Sequence, residues 1–193
     1  MSFALRARRS ILAGAAPLSP RRKWRAITLA TLLLVPAYWS VLVGLVSMAV
    51  EDRGDAPNAG AFIAFGLCLV PFVFVALAFL SEHPRAPQAV VKAMAMALLV
   101  GIPVSALAAD AVTGFVAAIG AGGIVSLRAD LSDSWKARAL GVLVATVYTF
   151  LMVRLAGDLV LIVAPALPLS AVGVADHLAE RRRDRAAAAA AAR

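Results

Sequence analysis

Residues 139–178 form a run of forty that is almost wholly apolar, and the only charges in it are Arg154, Asp158 and Asp176. A bilayer is crossed once by roughly 20 apolar residues, so this run is long enough for two crossings. Its two midpoint charges then mark either the turn between two helices or an ion pair buried inside one. Where that pair sits decides the topology of the chain.

Further apolar blocks lie at 27–50, 59–80, 89–109 and 111–127. With 62% hydrophobic and 16% charged residues and a mean hydropathy of +0.88, the chain departs from the balance of a water-soluble domain. The blocks predict an all-α fold, a polytopic transmembrane helical bundle of about six spans: 27–50, 59–80, 89–109, 111–127, 139–155 and 158–176. Residues 1–25 read as a basic arm, 26–178 as the bundle, and 179–193 as a basic and polyalanine tail.

The formal charge of +8 follows topology rather than a nucleic-acid surface. Seven basic residues precede the first span and five follow the last, so the positive-inside rule puts both termini in the cytoplasm and requires an even number of spans. With six spans, 17 of the 19 basic residues fall on the cytoplasmic side, and only Arg53 and Arg154 do not. The opposite side receives Glu51, Asp52, Asp55, Asp110 and Asp158, which favours an outer turn at 154–158 over a buried pair. Trp24 and Trp135 suit the aromatic belt of the basic face. The short segment 11–18, with Gly14 and Pro17 and more arginines after it, does not read as a secretory signal. The expected location is therefore a membrane with both termini cytoplasmic, with anionic lipid at the basic termini and no nucleic acid as partner.

Proline interrupts several spans, at Pro36, Pro71, Pro103, Pro165 and Pro168. Each removes a backbone donor, so the freed carbonyl needs a partner from a packed neighbour or from water. Small residues supply the packing surfaces: Gly114, Ala118, Gly122 and Ser126 recur every four residues, as do Gly141, Ala145 and Thr149. Such ridges let helix backbones approach closely. The first is a candidate packing seam, either inside the bundle or between two copies of the chain.

Three polar residues are candidates for a transport or polar site: Asp110, Arg154 and Asp158. Asp110 stands between two apolar blocks. Buried, it would be a proton or cation site; at the interface, it would cap the start of the following helix. Arg154 and Asp158 are four apart and would share a face on a continuous helix, whereas at a turn Arg154 would reach outward. Residues 107–112 (LAADAV) and 155–160 (LAGDLV) echo each other and place an aspartate at the outer turn of each of two helical hairpins, and parallel repeats are one way in which transporters are built.

Other chemistry finds little support. Cys68 is the only cysteine, so an internal disulfide is excluded. His83 and His177 lack the spacing and number of a metal set. Asp130 and Asp133, in the polar loop 128–138, are sparser than the aspartate-rich loops of prenyl-transferring enzymes. Gly120, Gly122 and Gly123 lack the lysine and hydroxyl of a phosphate loop. No cofactor, metal or catalytic residue is therefore expected.

The stretches 83–87 (HPRAP), 108–114 (AADAVTG) and 171–177 (AVGVADH) resemble multi-pass membrane proteins of actinobacteria that have no known activity. The likeness covers the second to sixth spans and implies the same membrane architecture in a bacterial plasma membrane. The expectation is a non-enzymatic structural or accessory component of a membrane assembly, possessing partners in a homodimer or larger complex. The alternative is a small transporter or channel that uses Asp110, Arg154 and Asp158.

Overall fold

The computed structural model describes residues 20–50, 58–127 and 135–191, and no strand occurs among them. Its helices are α1 (Pro20–Val50), α2 (Ala59–Leu80), α3 (Ala86–Ala108), α4 (Ala111–Ser126), α5 (Trp135–Ala156), α6 (Val160–Val163) and α7 (Leu167–Ala191). A 3₁₀ turn, Gly157–Leu159, joins α5 to α6. The fold is an all-α bundle. Four helices, α1, α2, α3 and α5, are long and apolar enough to cross a membrane, which marks a helical membrane protein.

The helix α4 is the centre of the bundle and packs against α2, α3, α5 and α7. Its 16 residues span about 24 Å at 1.5 Å per residue, less than a hydrocarbon core of roughly 30 Å. Eleven of them are buried, so this helix is sheathed by the others. By contrast, only 17% and 11% of the apolar stretches of α3 and α5 are buried within the chain, which leaves their outer faces for lipid.

Close approach depends on the small residues. A Cβ at Gly114 would run into Ser105 and stand 2.8 Å from the Gly101 carbonyl oxygen, and Ala118 faces Gly101 from the same ridge. A Cβ at Gly122 would occupy the place of the Phe74 ring and lie 2.9 Å from the Ala93 carbonyl oxygen. Gly114, Gly122 and Ser126 are buried and Ala118 is half-buried. The seam therefore packs α4 against α2 and α3 of its own chain, and no exposed ridge is left for a second copy.

The segment 158–176, expected as one helix, is not continuous. It divides into the 3₁₀ turn, the one-turn α6, a break at 164–166, and α7. Pro165 and Pro168 account for the break: they remove the N–H groups that a continuous helix would offer to the carbonyls of residues 161 and 164, and Pro168 is tolerated in the first turn of α7. Short bonds from Ala166 N to the Val163 oxygen (2.9 Å) and from Leu167 N to the Ala164 oxygen (3.3 Å) satisfy part of the broken ladder. Beyond the break α7 runs without interruption to Ala191. Single prolines at 36, 71 and 103 leave their helices continuous.

Candidate functional site

Polar side chains gather at the two ends of the bundle. At the first end lie the start of α1, the α2–α3 turn and the middle of α7. Lys23, 4% exposed, donates to Asp176 Oδ2 at 2.9 Å and to Glu180 Oε1 at 2.6 Å. Asp176 and Glu180 are four apart, so α7 presents both carboxylates to α1 on one face. Beside them the Trp24 ring lies over Gly173, where a Cβ would be 2.7 Å from the ring. Ion contacts and ring packing together clasp the first and last long helices. Arg22 pairs with Glu82 at 2.5 Å, but both side chains are more than half exposed, so this pair contributes little.

At the opposite end, Asp110 sits in the turn between α3 and α4. Ala109 adopts a left-handed conformation (φ 51°), which stops α3, and Asp110 is extended. Its Oδ1 accepts the Val112 N–H at 3.0 Å, and its Oδ2 accepts the Thr113 N–H at 3.0 Å and the Thr113 hydroxyl. Asp110 is thus the N-cap of α4, as one of the two sequence readings has it. Burial works against its charge. The Thr113 hydroxyl, the amides of Thr113 and Val112, and the Arg154 guanidinium outweigh that effect and hold the carboxyl below its ordinary range. A proton carrier would need the reverse shift.

The structure comes from a chain for which comparison with family models, curated proteins and solved structures finds no match.

Arg154 lies in the last turn of α5, exposed, with its guanidinium carbon 5.4 Å from the centre of the Phe150 ring. Gly157, with φ +51°, follows the end of α5, so Arg154 and Asp158 do not share a continuous helix. The backbone of Asp158 is part of the 3₁₀ turn, and its side chain lies outside the described residues. The echo of 107–112 and 155–160 has a backbone counterpart: in each, the residue before the aspartate is left-handed at φ 51°. The outcomes differ, because Asp110 opens a 16-residue helix while Asp158 sits in a turn leading to four residues.

Two residues absent from the sequence candidates matter at these ends. Lys23 is indistinguishable in sequence from its arginine neighbours, and its partners are 153 and 157 residues away. Tyr38, in α1, is 2% exposed, and its hydroxyl has no hydrogen-bond partner among the described residues. Among the described residues no group of three or more His, Cys, Asp or Glu could hold a metal ion. Residues 51–57, most of the polar loop with Asp130 and Asp133, and residues 1–19 of the arm lie outside the described residues.

Proposed function

We propose that this chain is a non-enzymatic membrane scaffold, an accessory component of a larger membrane assembly, with both ends on the cytoplasmic side of a bacterial plasma membrane. The observation that carries this reading is the Lys23–Asp176–Glu180 clasp. A half-buried ion cluster joins the start of the first long helix to the middle of the last at one end of the bundle. It also fixes the direction in which α7 leaves it. The helix then continues to Ala191 with Arg181, Arg182 and Arg185 exposed, a basic projection suited to anionic headgroups and to a protein partner.

Mild-detergent purification from the native membrane tests the proposal. A partner at constant stoichiometry is expected, and it should be lost on removal of residues 181–193. A clean monomer or homodimer would overturn the reading.

A second reading, a small transporter, draws support from the broken sixth segment, since discontinuous helices line substrate sites in many transporters. It predicts solute flux in proteoliposomes that falls with Asp110→Asn or Asp158→Asn. Flux unchanged by both substitutions would remove these residues from any such role.

A further inference from the structure

The outer side of α3 carries a stripe of exposed residues. Arg85, Gln88, Lys92, Ala95, Leu99 and Ile102 follow one another at alternating steps of three and four, the spacing of one helix face, and all of them are exposed. The helical register holds from Arg85, the N-cap, whose carbonyl oxygen accepts the Ala89 N–H at 2.9 Å. Only 17% of the apolar stretch of α3 is buried within the chain, so this face belongs to lipid.

The stripe changes chemistry along its length. Arg85, Gln88 and Lys92 are polar, and Ala95, Leu99 and Ile102 are apolar. Lys92 lies about 10 Å beyond Arg85 along the axis, at 1.5 Å per residue, which is deeper than a topology signal requires. Helical side chains lean toward the N-terminus, so the Lys92 stem runs back over the turn that carries Gln88 and draws its ammonium toward the level of Arg85. Among the described residues no ion pair engages Arg85 or Lys92, and Glu82, the acid nearest to them in the chain, is bonded to Arg22.

Two cations without an acid ask for an anion. A second copy of the chain packed on the same stripe would set Arg85 and Lys92 against their own equivalents, and like charges in an interface repel. A free phosphate would use only the polar half. A phospholipid uses both halves, and a headgroup with net negative charge suits the two cations better than one that brings a cation of its own.

We infer that this face of α3 binds one anionic phospholipid, with the headgroup phosphate on Arg85, Gln88 and Lys92 and an acyl chain along Ala95, Leu99 and Ile102. The site lies on a different element from the basic arm and tail, and it does not rest on the scaffold reading.

A bimane fluorophore on Ala95→Cys, in the full chain with Cys68→Ala, reports on the site in detergent micelles. Brominated phosphatidylglycerol is expected to quench it at lower concentration than brominated phosphatidylcholine. Arg85 and Lys92 are exposed, so Arg85→Gln and Lys92→Gln keep the fold. Each should weaken the preference for phosphatidylglycerol about fivefold, and the double variant should abolish it. Arg181→Gln, Arg182→Gln and Arg185→Gln together should leave the preference unchanged, and excess inorganic phosphate at constant ionic strength should not relieve the quenching. Equal quenching by the two lipids, or a preference that survives the double substitution, overturns the inference. So does a preference that vanishes with the α7 arginines, and so does relief by inorganic phosphate, which would mark an anion site without the acyl contact.

Discussion

At one end of the bundle Lys23 joins carboxylates 153 and 157 residues away, whereas at the other Asp110 closes on amides two and three residues along the chain. The first arrangement exists only after α1 and α7 have docked. The second forms as soon as α4 begins, because an N-cap uses donors that any helix start leaves free. The clasp is therefore a tertiary device whose failure strands charges, and the cap is a local device whose failure strands a hydroxyl and two amides.

Removing Lys23 should have the largest effect. Lys23→Met removes the ammonium that bonds both Asp176 and Glu180 and leaves the two carboxylates on one face of α7, and we expect a loss of about 2 to 4 kcal/mol in reversible unfolding. Neutralising all three, as Lys23→Met with Asp176→Asn and Glu180→Gln, should restore most of that loss, because the desolvation cost disappears along with the attraction. A single variant as stable as the parent would show that the clasp does not hold the helices.

Asp110→Ala comes next, at about 1 to 2 kcal/mol, since it removes the cap and leaves the buried Thr113 hydroxyl without its acceptor. Its pH dependence has a definite sign. The carboxyl is held below its ordinary value in the folded state, so its contribution is complete above the unfolded value of about 3.9 and is lost as pH falls through the lower folded one. The stability difference between parent and Asp110→Ala should thus shrink on strong acidification. A difference that stays constant to low pH would argue against the ionised cap.

The two left-handed residues give the smallest and most closely matched test. Gly157 has open space around its Cα, so Gly157→Ala meets only backbone strain and should cost about 1 kcal/mol. Ala109→Gly relieves the same strain at the other turn and should stabilise by about 0.5 kcal/mol. A fall in Tm for Gly157→Ala with a smaller rise for Ala109→Gly would support two turns built on one backbone plan; shifts of the same sign would contradict it.

These contrasts also explain what the amino-acid order reveals. The apolar blocks locate α1, α2, α3 and α5 to within a few residues, because span length and hydropathy are local quantities. The cap at Asp110 is legible for the same reason, as an aspartate directly ahead of a helix-forming block. The small-residue ridge on α4 announces close packing but not its partner, which turns out to be the ridge of α3 and the Phe74 ring. Pro165 and Pro168 suggest a bend, and only the packed structure shows that two such prolines divide the segment. Lys23 was hidden among arginines of equal charge. One signal was available, the i, i+4 pair Asp176 and Glu180 in an otherwise basic tail, which asks for a cation from elsewhere. Tyr38 gives no pattern at all: a lone tyrosine in an apolar span reads as packing until its hydroxyl is found without a partner.

The central claim is that the clasped ends lie on one side of the membrane and the turn after α5 on the other. Single cysteines at Arg21, Ala156 and Arg185, each in a Cys68→Ala background, test it with a membrane-impermeant maleimide applied to intact cells. The account predicts that Ala156→Cys is labelled from outside, and that Arg21→Cys and Arg185→Cys are labelled only after the membrane is permeabilised. Labelling of either terminal position from the same side as Ala156→Cys would contradict it.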